Sequence, residues 1–435
     1  MKVLISIMPA TGHINLAQPI AHELITRGHQ VYFLTGPSYK SSVEAIGATF
    51  IPFNSACMSV IEGPISPDAQ TKHGSGLGAA VSILTEMFVS PIGPVVAQYQ
   101  EIFKEFKADV ILADFVCLPA YVWRELGGPV NVTLSLNPLF TMQPEIPPWG
   151  SSAWPPKTVV GRYMNAFMHW VADRLVMSKV NAAFNAERVK LGLVKPAVGE
   201  EGYPKNLLSR YLHILPTTPA FEFPREGLKE QVKFVGPLLP VVSKGWERPG
   251  WWDEVVSAHA NGKGGKKVVH VTQGTFVTAS SNLIKPTIRA LASENDILLV
   301  VTTKDADAMA QEMDIAANVR IAAFIPHQEL LKHVDVMVTN GGYGGVLTAL
   351  SMGVPLIGAG LTEDKAMVNA RIAWSGAGVD LKTDRPSEEQ IRRAVRNVLD
   401  EKSYAEKARG IQEDFAKYPG PKKACDALEE LVERL

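Results

Sequence analysis

The chain is poor in cysteine, carries no excess charge of either sign, and has no long uninterrupted apolar run. Its only cysteines in 435 residues are Cys57, Cys117 and Cys425. Odd in number, widely separated and without CxxC spacing, they exclude a disulfide framework or a thiolate zinc site and read as small buried apolar residues. With 43 basic and 44 acidic residues the net charge is -1, and no basic cluster is longer than Lys266-Lys267. Nucleic acid as a partner is thereby disfavoured, since its phosphates call for a basic surface. The longest apolar region, Gly76 to Ala97, is interrupted by Glu86, Pro91 and Pro94, so no membrane span is expected there. The first residues, MKVLISIMPATGH, hold one lysine and a short apolar run, which suits a buried strand rather than a signal peptide and leads to a cytoplasmic expectation. No short internal repeat is visible.

What the chain does have is alternation. Apolar, β-branched runs at 2–8, 31–34, 49–53, 109–114 and 129–135 are separated by amphipathic stretches, the pattern of a doubly wound parallel sheet. After a proline- and tryptophan-rich stretch at 137–158, which suits a rigid binding loop, come a helical region at 159–192 and strands near 211–215 and 232–235. A second alternation starts at Lys267 with VVHVTQ, ILLVVT, NVRIAAF and VDVMVT. The predicted fold is therefore α/β, with two doubly wound parallel-sheet domains. Their predicted extents are 1–235 and 266–415, joined by a linker at 236–265 and followed by a helix at 416–435 that could pack back on the first domain. Open sheets of this kind bind ligands outside the carboxyl ends of their strands.

Residues just after strands therefore carry the chemistry. The stretch TNGGYGGVLTALSMGVPLIGAGLTEDK runs from Thr339 to Lys365 and reads as strand, glycine turn, helix, strand and loop. Gly341, Gly342, Gly344 and Gly345 permit close backbone approach, and the helix start that follows offers free N–H groups to a phosphate or diphosphate. Gly274 and Thr275 end the VVHVTQ strand with a hydroxyl and a free N–H, Asn340 ends a later strand, and both places suit a diphosphate between helix N-termini. Phe324, between a strand and Pro326, could stack on a base. Glu363 and Asp364 could accept hydrogen bonds from sugar hydroxyls. In the first domain His13 follows the first strand and Asp114 ends the fourth. Together they could form a base whose ring is oriented by a carboxylate. Each has a plain structural reading too: a turn for the glycines, core packing for Phe324, helix caps for Asp114 and Asp364, turn filling for His13. Asp305-Ala306-Asp307 resembles a metal-binding DxD but opens a helix, where acids are expected in any case, so no metal is expected. Gly74 to Gly78 follows no strand and reads as loop rather than a dinucleotide fingerprint.

Taken together, GHIN with RGHQV, Asp114, VTQGT, FIPHQELL and NGGYGGVLTALSMGVP followed by EDK resemble the two-domain GT-B glycosyltransferases of the nucleotide-sugar-dependent family 1 type, over nearly the whole length. The resemblance implies that His13 deprotonates an acceptor hydroxyl, that Asp114 orients and charge-balances it, and that the oxygen attacks the anomeric carbon with inversion. It implies further that Phe324 stacks on the base, that Thr275, Asn340 and nearby amides meet the diphosphate, and that Asp364 and its neighbour meet the sugar. A nucleoside diphosphate sugar is then the co-substrate, with UDP-glucose the first expectation and a dTDP-linked or modified sugar open, and no cofactor or metal is needed.

The chain departs from the family pattern at Asn340, where histidine is usual, at Tyr343, Gly344 and Gly345, where a Trp-Asn-Ser run is usual, at Thr348, where glutamate is usual, and at Lys365, where glutamine is usual. An altered ribose contact and altered sugar or phosphate recognition are the expectation. The acceptor pocket is expected from Met8, Phe53, Met58, Phe88, Phe115, Phe140, Met142 and Trp149, an apolar lining for aromatic, polyketide or terpenoid molecules. Alternatives are a nucleotide-sugar epimerase or a non-catalytic binding partner on the same fold. The apolar lining speaks against the former, and the presence of His13 and Asp114 against the latter.

Overall fold

The structure, a computed structural model, describes residues 1–62, 77–194, 209–241, 246–260, 265–274 and 282–435. Seven strands form the first sheet: β1 (Lys2–Ser6), β2 (Gln30–Thr35), β3 (Thr49–Pro52), β4 (Val110–Asp114), β5 (Val130–Leu134), β6 (Leu212–Leu215) and β7 (Val232–Phe234). Their order is β3-β2-β1-β4-β5-β6-β7. Six strands form the second: β8 (Lys267–Thr272), β9 (Ile297–Thr302), β10 (Val319–Ala322), β11 (Val336–Thr339), β12 (Leu356–Gly358) and β13 (Gly378–Asp380), in the order β10-β9-β8-β11-β12-β13. Neighbouring strands run parallel, as in β1 beside β4 and β8 beside β11. Helices cover both faces of each sheet, which is why β4 and β9 read as unbroken apolar runs rather than alternations. In each sheet the winding reverses once, between β1 and β4 and between β8 and β11. Those two crevices are where such sheets take ligands.

The helix Thr11–Thr26 buries Ile14, Ala17, Ile20, Ala21 and Leu24 against Val3, Ile5 and Val31. The last helix, Gly420–Glu433, joins the same core through Ala424, Cys425 and Leu428, while Arg27 holds Asp426 and Glu429, each at 2.7 Å. So the chain crosses from the first sheet to the second near Gly236 and returns near Tyr418. The two crossings touch: a Cβ on Gly236, at φ +92°, would lie 2.4 Å from the Tyr418 carbonyl oxygen.

A buried ion cluster also ties the halves together. Glu222 accepts from Arg371 Nε at 2.6 Å and from Arg225 Nη2 at 3.0 Å, and from the Leu139 N–H at 3.0 Å. Burial by itself would push the Glu222 carboxyl up; the charges of Arg371 and Arg225 outweigh it and hold the group below its ordinary value. Arg371 also lies over the Phe223 ring, 4.1 Å from its centroid, and Trp374 packs edge-on against both Phe223 and Trp154.

Two expectations need correction, and one is met. The stretch 236–265 is not all linker, because Trp252–Ala260 is helical and sends Trp252 and Val255 into the second core. The helical region is interrupted at Pro91, where a turn at 90–91 separates Thr85–Val89 from a new helix. Pro91 and Pro94 stand at the start of Ile92–Glu105, where proline's missing N–H has no intrahelical partner to lose. The stretch Val81–Glu105 is long and apolar enough, by length and composition alone, to cross a membrane; here Ile92 and Val96 pack on Leu118 and Val122. Finally, β1 ends at Ser6, leaving Ile7 to Ala10 as the turn that leads to His13.

Candidate active site

At the first crevice the short turn after β1 delivers His13 to the opening turn of its helix, and β4 delivers Asp114 from the neighbouring strand. His13 Nδ1 stands 2.9 Å from Asp114 Oδ2, which also accepts the Met8 N–H at 2.8 Å. The Asp114 side chain is fully buried, whereas a quarter of the His13 side chain is exposed. A carboxylate that already accepts a backbone N–H can orient the ring only by accepting Nδ1–H. The Nε2 lone pair is thereby left toward the cleft, free to take a proton. Asp114 Oδ1 is buried without a hydrogen-bond partner.

The second crevice is built from backbone. Asn340 follows β11, and its Nδ2 donates to the Gln273 carbonyl after β8 at 2.6 Å. Gly274, at φ +72°, lies close enough that an added Cβ would sit 3.7 Å from the Asn340 amide. Asn340 is thus spent on joining the two loops. Gly341 has φ +91°, and a side chain there would strike Asn369 Oδ1 at 2.2 Å. A Cβ on Gly360 would likewise meet the Asn340 carbonyl oxygen at 2.2 Å. The next helix begins at Tyr343, three residues earlier than its apolar pattern suggests, with Gly342 as an N-cap that makes no side-chain hydrogen bond. The N–H groups of its first turn remain open to an anion. A Cβ on Gly344 would meet nothing within 4 Å, so that glycine borders open space.

Around this turn, Phe324 stands out into solvent at 64% exposure. Glu363 adopts φ 57°, a strained region for a residue with a side chain, and pairs with the buried Lys365, whose Nζ also reaches Thr362 Oγ1 at 3.5 Å. Between them Asp364 starts the helix Lys365–Ser375. Burial pushes its carboxyl up to about 6; Lys365 opposes the rise, Glu363 adds to it, and the charge of His13 across the cleft opposes it. Asp364 and His13, one from each half, are therefore near enough for their charges to interact. Thr348 is buried with its hydroxyl turned back to the Gly344 carbonyl at 2.8 Å. Thr275 lies outside the described residues. Asp305 and Asp307 sit at the start of Ala306–Glu312, and among the described residues no group of three His, Cys, Asp or Glu side chains is arranged to hold a metal.

The expected acceptor wall is only partly assembled. Phe53 is a core residue, packed with Cys57, Ile61 and Tyr99, and is no lining. Phe88 and Phe115 are half-buried against cores on either side of the sheet, because each follows the apolar face of its own helix or strand end. Met8 and Met58 border the core beside the turn after β1. Phe140 meets His169 edge-on at 6.4 Å, Met142 is half-buried, and Trp149 is exposed. Sequence reasoning missed Asn369, fully buried, whose Nδ2 holds the Gly360 carbonyl at 3.0 Å and whose Oδ1 presses on Gly341 and Gly358. Two glycines at 358 and 360, facing a helix that carries an asparagine, were the available signal.

Two doubly wound sheets facing across a cleft, with an oriented imidazole on one side and open helix N–H groups on the other, define a GT-B transferase architecture. Residues 289–431 match the family described as "Erythromycin biosynthesis protein CIII-like, C-terminal domain". The chain is 37% identical to 4'-demethylrebeccamycin synthase of Lentzea aerocolonigenes, over 99% of each. It is 30% identical to UDP-glucosyltransferase avaP of Aspergillus versicolor, over 100% of this chain and 98% of that one. In fold it is similar to the glycotransferase of kitacinnamycin, with a TM-score of 0.74 at 20% identity over 99% and 98% of the two chains. The calicheamicin glycosyltransferase CalG4 is comparable, with a TM-score of 0.73 at 19% identity over 100% and 98%. The chain belongs to the family 1 nucleotide-sugar-dependent GT-B glycosyltransferases, and it is a glycosyltransferase of the natural-product type.

Proposed function

We propose that the enzyme moves a sugar, with inversion, from a nucleoside diphosphate sugar to a hydroxyl of a small apolar acceptor of aromatic, polyketide or terpenoid character. The observation that carries this reading is the 2.9 Å contact between His13 Nδ1 and buried Asp114. His13 Nε2 takes the acceptor's hydroxyl proton as the oxygen forms its bond to the anomeric carbon. The bond from that carbon to the diphosphate breaks, and its electron pair leaves on the phosphate oxygen. Asp114 balances the imidazolium so formed. The N–H groups at the start of Tyr343–Ser351, with Gly341 and Gly342 before them, meet the charge growing on the diphosphate, and no metal or cofactor is required.

Phe324 offers its exposed ring to the base, and Asp364 with Glu363 addresses the sugar hydroxyls, Lys365 fixing their turn. UDP-glucose is the first donor to try, in keeping with the UDP-glucosyltransferases among the relatives. The dTDP-linked sugars come next, since a spinosyn rhamnosyltransferase and VinC of the same fold were solved with thymidine diphosphate. The test is to incubate the enzyme with each donor and a panel of apolar alcohols and phenols, reading product mass and anomeric configuration. A hexose added with inverted configuration is expected. An altered donor sugar with no acceptor product would overturn the reading in favour of an epimerase.

A further inference from the structure

The helix Val159–Ala172 and the turn after it present their apolar face outward. Val160, Tyr163, Met164, Phe167, Trp170 and Leu175 recur at helical spacing on one stripe and are all exposed, Tyr163 at 73% and Trp170 at 56%. The polar edge is the one turned in. His169 Nε2 donates to the Ile146 carbonyl at 2.9 Å and Asn165 Nδ2 donates to the Pro144 carbonyl at 3.0 Å, while Arg162 pairs with Glu226 at 3.2 Å on the surface. This is the reverse of a solvent-facing helix, and it is not a fraying end, because Thr158 caps it by accepting the Gly161 N–H at 3.1 Å.

With aromatic side chains offering roughly 150–250 Å² each, the stripe amounts to on the order of 800 Å². Monomers rarely leave more than about 300–600 Å² of contiguous apolar surface open, and a stable interface needs about 800 Å² from each partner. The composition is that of a protein interface core: aromatics and methionine, with Arg174 over the Trp170 ring at 6.0 Å and no lysine, aspartate or glutamate within the stripe. A lipid surface fits less well, since the chain's net charge is -1 and it has no basic cluster to meet anionic headgroups.

We infer that this stripe is the contact face of a homodimer, two copies of the Val159–Ala172 helix packing on one another across a two-fold axis. A single helix face is self-complementary in that arrangement, the commonest closed symmetry of soluble proteins. Because the inward edge holds the carbonyls of Pro144 and Ile146, pairing also braces the loop that carries Phe140 and Met142.

The test is the mass of the full chain by sedimentation velocity at micromolar concentration, with and without Phe167→Glu and Trp170→Glu. Twice the chain mass is expected for the wild type. Each variant should weaken association at least about tenfold, and the pair roughly a hundredfold, with unchanged circular dichroism because both side chains are exposed. Met164→Lys provides the same readout should either glutamate variant fail to fold. A wild-type chain of single mass would overturn the inference, as would a dimer that survives the paired substitution. Monomer that sediments with phosphatidylcholine–phosphatidylglycerol vesicles through this stripe would overturn it in favour of a membrane face.

Discussion

The two crevices, one at β1 and β4 and one at β8 and β11, occupy equivalent places in equivalent sheets yet are built from different materials. The first relies on side chains: an imidazole, a buried carboxylate, and one backbone N–H that fixes the carboxylate. The second relies on main chain: glycines packed so closely that a methyl group would land 2.2 Å from a neighbour, and a helix start with no side-chain cap. On the function proposed above, the difference follows from the tasks. Moving a proton needs a group that titrates, whereas holding a diphosphate needs several N–H dipoles converging on one place, and only residues without a Cβ let the backbone come near enough.

The halves work as one only if they are held in register, and the largest predicted effect concerns that coupling. Arg371→Met leaves Glu222 buried with Arg225 as its remaining cation, and should lower stability by about 3 kcal/mol or more, read as a shift in the urea midpoint. A loss under about 1 kcal/mol would mean that this cluster does not join the halves. Next, His13→Ala should lower turnover at least about a hundredfold while calorimetry finds donor affinity nearly unchanged. Equal losses in both would erase the division of labour between the crevices.

A smaller effect separates ligand approach from fold within the second crevice. Gly341→Ala collides with Asn369 and should reduce both melting temperature and donor binding. Gly344→Ala has room for its methyl group, so it should keep the melting temperature and still weaken donor binding, roughly tenfold if the diphosphate lies against it. Unchanged donor affinity in Gly344→Ala would move the diphosphate elsewhere. The smallest effect is on pH dependence, to which both halves contribute histidines held neutral by burial. Burial pushes His213 on β6 and His270 on β8 down to about 3, and His327 down to about 4, against 6.5 when free. Between those values the unfolded chain binds the extra proton, so stability falls as pH drops below about 6.5, by roughly 1 kcal/mol per pH unit from each histidine. His270→Leu should lower that slope by about a third in urea titrations at pH 7, 6 and 5.

The run of strands along the chain and the ligand-facing turns after them were legible because parallel sheets buried on both faces require unbroken apolar runs, as at VILAD and ILLVVT, and because glycine clusters mark the turns that follow. The start of the helix at Tyr343 was not legible, since its first turn is glycine and carries no apolar period. Nor was the fate of Phe53, which sits at a strand end like the true rim residues but points into the core with Cys57 and Tyr99.

Local sequence by itself determined the alternation of elements, the positions of His13 and Asp114 after their strands, and the glycine-rich helix start. Each depends on the chemistry of a few consecutive residues. Only the tertiary structure decided that Asn340 is spent on Gln273, that Lys365 is spent on Glu363, that Asn369 underlies the glycines, and that Glu222 finds Arg371 149 residues away. Those contacts depend on which side chains packing brings within hydrogen-bond reach, and a buried polar group takes whichever partner that turns out to be, because leaving it without one costs more than any local preference can offset.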